Sequence, residues 1–205
     1  LTPGGAFGVI CENTDELVDN TLKRLNLEGD RWVTISLRSQ HEGKNAEHIE
    51  SPCTIRHIFK HCVDLTSVPR KNFLMTLSNY TTDKQEKLQL ECLASIKGRK
   101  QYKAAIEAVQ PTFYDILQTF KTCNPPLDHL VDTLSSLKPR YYSICNANVP
   151  PNENRMQTAF TIVEFERKTS KKLFKGICSH FLRDKAIATG KVTHVYKPTK
   201  ESETS

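Results

Sequence analysis

A chain of 205 residues with 25% charged and 38% hydrophobic side chains can bury one core or two small ones. No apolar run approaches the roughly 18–20 residues of a membrane-spanning helix. Eight Gly and ten Pro exclude a fibrous or low-complexity chain, and a net charge of +6 spread along the sequence permits an anionic ligand without the concentrated basic face of a nucleic-acid binder. Seven cysteines, an odd number with no C-x-x-C pair, argue against a zinc ribbon or a disulfide framework and point to a reducing, cytoplasmic setting.

The chain opens on Leu1-Thr2-Pro3-Gly4-Gly5 without an initiating Met or a leader pattern, so we expect a piece of something longer. Ala6–Cys11 is a short run of strand formers, and from Asp15 onward Leu17, Val18, Leu22 and Leu25 recur at helical spacing, with Gly29 as the expected terminator. Trp32–Leu37 alternates like a half-buried strand, and residues 38–52 are polar and loop-like. From Cys53 to Leu137 apolar positions fall three and four apart, punctuated by Pro69, Gly98, Pro111 and Pro125-Pro126. This spacing predicts five or six short helices. After Pro139 the pattern returns to strands, Tyr141–Cys145 and Thr158–Phe165, separated by a Pro150-Pro151-Asn152 turn. Gly176–Ser179 then opens a final helix, and a polar tail ends the chain. The order is β-rich, helical, β-rich, with no internal repeat.

One expected strand combines a fixed cation, aromatic rings and a hydroxyl in Arg140-Tyr141-Tyr142-Ser143. Alternation sends Arg140 and Tyr142 to one face, Tyr141 and Ser143 to the other. A guanidinium suits a pyrophosphate bidentately, a Tyr ring offers a flat face to a heterocycle, and a hydroxyl can bond its edge. Gly176-Ile177-Cys178-Ser179 at a helix start adds a place where backbone N–H groups meet an anion, with Lys168, Lys171, Lys172 and Lys175 just upstream. Taken singly, the first set also describes a strand with two packed tyrosines and a surface Arg, and the second a helix cap beside a solvated basic hairpin. Cys53, His57 and His61 recur every four residues on an expected helix, but no fourth ligand follows and no metal is expected.

These motifs occur in one order with the Phe160–Phe165 strand, Lys175-Gly176-Ile177-Cys178-Ser179 and the early Pro3-Gly4-Gly5-Ala6-Phe7. Together they resemble the FAD-binding module of the diflavin reductases, relatives of ferredoxin-NADP reductase and cytochrome P450 reductase. Within that group Gly5–Asn13, Val68–Leu74, Tyr80-Thr81-Thr82-Asp83, Asn124-Pro125-Pro126-Leu127 and Ile162–Phe165 are most similar to the methionine synthase reductases.

The resemblance implies an α+β fold, an incomplete antiparallel FAD-binding β-barrel of ferredoxin-NADP reductase type interrupted by an all-helical connecting domain. Residues 1–52 would form the first part of the barrel, 53–130 the connecting domain, and 131–205 the second part with a polar tail. Arg140 would pair with the FAD pyrophosphate, Tyr142 would stack on the isoalloxazine beside Tyr141, and Ser143 would stand near the flavin N5 as the catalytic residue. Ala159, Phe160 and Thr161 would line the flavin, Phe165 would be an aromatic beside it, and Gly176, Ile177, Cys178 and Ser179 would hold the pyrophosphate. FMN and NADPH would belong to a flavodoxin-like domain and an NADPH-binding domain outside this chain. Methionine synthase would be the partner, without nucleic acid or membrane, and the chain alone would not complete electron transfer. The sequence departs from the family at Gly5, where relatives carry an acidic residue, and at Cys145-Asn146-Ala147-Asn148.

Overall fold

The computed structural model describes residues 4–36, 48–146, 156–166 and 173–189. Near its start β1 (Ala6–Val9) leads into α1 (Asp15–Leu25), whose first turn is capped by the Thr14 hydroxyl accepting from the Leu17 N–H at 3.3 Å. Asp15 and Glu16 sit in the first turn and Lys23 and Arg24 in the last, each complementing the helix dipole. The helix stops at Asn26, not at Gly29. Asn26 takes the left-handed conformation (φ 54°), and the Leu27 N–H returns to the Leu22 carbonyl at 2.9 Å, an asparagine doing what glycine commonly does at this position.

Two short strands, β2 (Trp32–Val33) and β3 (Cys53–Thr54), pair antiparallel and deliver the chain into the helical block. Of the expected strand Trp32–Leu37 only these two residues enter a ladder, and Leu37 lies outside the described residues. The block begins with α2 (Ile55–His57), which continues into a π-helical turn, Ile58–Cys62. It proceeds through α3 (Lys71–Asn79), α4 (Lys84–Ala94), α5 (Arg99–Tyr102) with a second π-helical turn (Lys103–Glu107), α6 (Phe113–Thr119) and α7 (Leu127–Thr133). Cys53 belongs to β3 and not to the helix that carries His57 and His61, so the expected one-sided row of three does not form.

The expected punctuation marks real boundaries. Pro126 is the N-cap of α7, and Pro111 precedes Thr112, which closes a capping box with Asp115. At Gly98 a Cβ would stand 1.7 Å from the Cys92 carbonyl oxygen, so the turn from α4 to α5 admits no side chain there. The helices bury Phe59, Leu74, Leu77, Leu90, Ile106, Phe113, Leu117 and Leu130 in one core, to which α1 adds Val18, Leu22 and Leu25. Full burial of each such side chain contributes about 1.5–3 kcal/mol. The Arg24 guanidinium donates to the carbonyls of Leu117, Phe120, Lys121 and Cys123 at 2.7–3.2 Å, clamping α1 across the end of α6.

Beyond the helices β4 (Arg140–Ser143) returns to pair antiparallel with β1, Phe7 opposite Tyr142 and Val9 opposite Arg140. The helical block is therefore inserted between two hydrogen-bonded strands. A last hairpin, β5 (Glu164–Glu166) with β6 (Leu173–Lys175), leads into α8 (Ile177–Ala188). Of the expected strand Thr158–Phe165 only Glu164 and Phe165 are laddered. Upstream of them the Cys145 N–H donates to the Gln157 carbonyl at 2.9 Å. The Pro150-Pro151-Asn152 turn, Lys168, Lys171, Lys172 and the tail lie outside the described residues. The fold is thus mixed helix and sheet, and among the described residues the sheets are three antiparallel pairs, none closed into a barrel.

Candidate functional site

A cleft of about 540 Å³ opens where β4, the 159–163 segment, the end of β6 and the start of α8 converge on a loop of the helical block. Its volume falls in the range of small-molecule sites, roughly 300–1,000 Å³. Arg140, Tyr142, Ala159, Phe160, Thr161, Gly176, Ile177, Cys178 and Ser179 all line it, although they come from segments far apart in sequence. Tyr141, Ser143 and Phe165 do not. Tyr141 is 73% exposed on the outer face of β4, lying over Gly8, and Ser143 is exposed on that same face. Phe165 stacks across the hairpin on Phe174, ring centroids 4.8 Å apart, and Phe174 in turn lines the cleft.

Strand alternation sets the inner face. Arg140 and Tyr142 point inward as a pair two residues apart, the Arg140 Nη1 donating to the Lys138 carbonyl at 2.6 Å and its Nη2 facing Asp64 Oδ2 at 3.5 Å. The Tyr142 ring meets Phe160 edge-on with centroids 5.9 Å apart and Phe7 at 6.3 Å. Beneath it Cys11, Leu137 and Cys178 form a small apolar cluster with Val9, Ile177 and Phe181. Burial, with a hydrogen bond to Cys178, pushes the Tyr142 phenol up to about 12. Burial likewise pushes the Cys11 thiol up to about 11, against the opposing pull of Arg140. Among the described residues of the lining, Arg140 and Asp64 are the formally charged side chains.

The α8 end is built for close approach. The Gly176 N–H donates to the Val163 carbonyl at 2.8 Å, the Ser179 hydroxyl accepts from the Val163 N–H and donates to the Gly176 carbonyl, both at 3.1 Å. Ser179 thus ties the turn together, and what this end offers a ligand is backbone N–H: the first amides of a helix have no partner within it, and α8 has no side-chain cap. A Cβ on Gly176 would lie 2.8 Å from the Val163 Cβ. A cation, a helix N-terminus and the rings of Tyr142, Phe160 and Phe174 in one cleft fit a dinucleotide with a planar head.

The sequence reading missed the wall supplied by the helical block: Asp64, Thr66, Ser67, Val68 and Gln110, together with Val163 and Phe174 from the hairpin side. The Asp64-x-Thr66-Ser67 pattern carries the signature of an Asx-type turn, but nothing local sets that turn opposite Arg140.

Comparison with known proteins agrees with this chemistry. A family model described as FAD binding domain matches residues 1–181. Methionine synthase reductase of Homo sapiens is 36% identical over 88% of this chain, which covers 26% of that protein. An uncharacterized FAD-binding protein of Schizosaccharomyces pombe is 33% identical over 93% of the chain and 34% of its own length. NADPH–cytochrome P450 reductase of Drosophila melanogaster is 34% identical over 65% of the chain and 20% of its own length. The chain spans about a quarter to a third of the first two relatives. A cleft that joins a cation, aromatic faces and a helix N-terminus, in a chain matched almost end to end by that family, makes this protein a member of the FAD binding domain family.

Proposed function

We propose that this chain is the FAD-binding module of an NADPH-dependent diflavin oxidoreductase that passes electrons from NADPH through FAD to FMN, and on to the cobalamin of methionine synthase in methionine biosynthesis. The observation that carries this reading is the convergence of Arg140, Tyr142, residues 159–161 and residues 176–179 on one cleft. The choice of methionine synthase as acceptor is supported by the methionine synthase reductases of four mammals, 32–36% identical to the chain. Residues 1–52 and 131–205 are the two parts of an antiparallel FAD-binding barrel, and residues 53–130 are the connecting domain that spaces the two flavins. The setting is cytoplasmic, and no helix among the described residues is long and apolar enough to cross a membrane.

When bound, FAD supplies the conversion of a two-electron donor into single-electron steps. The chain's own residues bind and orient it. Arg140 neutralises the pyrophosphate together with the N-terminal amides of α8, Tyr142 stacks on the ring system, and the backbone of 159–161 follows the ring edge. Phe165 would support Phe174, while Tyr141 and Ser143, on the outer face of β4, would meet the cofactor only outside this cleft, Ser143 serving as the catalytic hydroxyl.

Titration of the chain with FAD, followed by flavin fluorescence and the visible spectrum, tests the cofactor: saturable one-to-one binding is expected, and no binding of FAD overturns the reading. The acceptor is tested by exchanging the chain for the matching segment of methionine synthase reductase and measuring NADPH-driven reactivation of methionine synthase. Flavin loading and cytochrome c reduction without reactivation would refute methionine synthase as the acceptor.

A further inference from the structure

Arg140 is held by a residue that belongs to neither strand of its sheet. Asp64 lies just beyond the first π-helical turn, its backbone N–H bonded to the Ser135 carbonyl at 2.7 Å. Its Oδ1 accepts from the Thr66 N–H at 2.9 Å, the Thr66 hydroxyl at 2.7 Å and the Ser67 N–H at 3.0 Å, while Oδ2 faces Arg140 Nη2 at 3.5 Å. One carboxylate thus organises the loop and touches the cation. The Asp64 side chain is 12% exposed and that of Arg140 36%, so their attraction is less screened than on an open surface.

We propose that Asp64 is the positioning residue for Arg140, so that the helical block, and not the strands alone, sets the affinity of the cleft for a diphosphate-bearing ligand. This rests on the FAD reading above. A guanidinium carries five N–H donors on a flexible stem. Asp64 takes one Nη2 hydrogen and the Lys138 carbonyl one on Nη1, which fixes the plane and leaves the other donors for a ligand. The separation of 3.5 Å is long for an Arg–carboxylate pair, normally about 2.7–2.9 Å. An incoming diphosphate can therefore share the cation without first breaking a tight bidentate bond. Because the loop is already ordered by its own three hydrogen bonds, holding Arg140 costs no further ordering when the ligand arrives.

The test is a set of titrations with FAD and with riboflavin, which lacks the diphosphate, on wild type, Asp64→Asn, Arg140→Ala and the double variant. Asparagine keeps an oxygen to accept the turn bonds and replaces the charged acceptor facing Arg140 with a neutral N–H donor. Asp64→Asn is expected to weaken FAD about five-fold, between the effect of an exposed ion pair and that of a charge-assisted hydrogen bond. Riboflavin affinity should be unmoved, and in the Arg140→Ala background Asp64→Asn should add nothing. Asp64→Ser, which also keeps an acceptor, is read in the same way should the asparagine variant fail to fold. Equal losses for FAD and riboflavin, an undiminished loss in the Arg140→Ala background, or FAD affinity unchanged or tighter would each overturn the role of Asp64 and leave the FAD reading standing. Failure of the wild type to bind FAD would overturn both.

Discussion

Gly176→Ala is the smallest change that probes the turn at the head of α8. The backbone there (φ −64°, ψ 120°) is open to alanine, so the whole effect comes from what the added methyl meets. It would lie 2.8 Å from the Val163 Cβ, 3.0 Å from the Ser179 Oγ and 3.3 Å from the Val163 Cγ1. The Val163 Cβ cannot rotate away, because it moves only with its backbone. That backbone is tied to the same turn by the Gly176 N–H to Val163 carbonyl bond at 2.8 Å and the Val163 N–H to Ser179 hydroxyl bond at 3.1 Å. Relief therefore stretches both bonds. Overpacking of this kind costs about 1–3 kcal/mol, and each hydrogen bond contributes about 0.5–1.5 kcal/mol. With the bonds weakened and not lost, a destabilisation of about 2 kcal/mol follows, a fall in Tm of about 4–8 °C for a chain of this size. The shift also moves the α8 amides away from the ligand, and FAD affinity should fall about ten-fold, the equivalent of about 1.4 kcal/mol. Thermal unfolding by circular dichroism and a fluorescence titration measure the two effects. A variant that melts with the wild type and binds FAD equally well would refute the argument that this turn is closed to a side chain.

Arg24→Ala removes the donor for four carbonyls at the end of α6 and should cost about 2–3 kcal/mol in urea unfolding, because charge-assisted bonds are lost and acceptors stranded; a loss below about 0.5 kcal/mol, the range of ordinary surface changes, would show that the clamp contributes little. Burial of the Glu86 carboxyl works to raise its pKa, but bonds from the Thr122 hydroxyl, the Thr122 N–H and the Lys121 N–H outweigh it and hold it below 4.5. Its stabilising contribution is therefore full above that value and lost as pH falls through the lower folded-state value, so Glu86→Gln should lower stability at neutral pH, converge with the wild type in acid and so flatten the acid limb of the stability curve; an unchanged acid limb would contradict this. Cys92 and Cys145 are exposed and the other five cysteines buried, with Cys11 and Cys62 pushed by burial up to about 11. A thiol reagent should titrate two equivalents in the native chain and five more only on unfolding; rapid reaction of a third would reveal an opening that the packing does not show.

The helical block was legible because its signals are local. Apolar residues at three and four residue spacing mark a buried face, and Pro69, Pro111 and Pro126 stand at helix starts because each lacks an N–H that a helix interior would need. Strand lengths were less legible, since alternation in Trp32–Leu37 and Thr158–Phe165 describes a side-chain pattern, whereas a ladder needs a partner of matching length. Among the described residues of these two segments only Trp32, Val33, Glu164 and Phe165 are paired. Asn26 in place of Gly29 is the same lesson at smaller scale: the left-handed cap belongs to whichever tolerant residue follows the last packed turn, here the turn of Leu22 and Leu25. In the cleft, the strand and helix-start residues could be found because each motif has its own chemistry. Asp64 could not, because its meaning lies in a residue 76 positions away.

Charge was a poor guide to how the site works, and the reason is geometric. A net +6 permits an anionic ligand, yet among the described residues the lining holds one cation and one anion, Arg140 and Asp64. Their formal charges cancel. Among these residues, attraction for a diphosphate comes from direction: the α8 amides present the positive end of a 12-residue helix, and Arg140 offers donors fixed in a plane by Lys138 and Asp64. The carboxylate weakens the local potential but removes the entropy that a loose arginine would lose on binding, about 2 kcal/mol when fully ordered. A site organised in this way gains selectivity for a ligand whose oxygens match the donors over one that merely carries charge, which suits a cofactor held in place through repeated redox cycles better than a substrate drawn in by a basic surface.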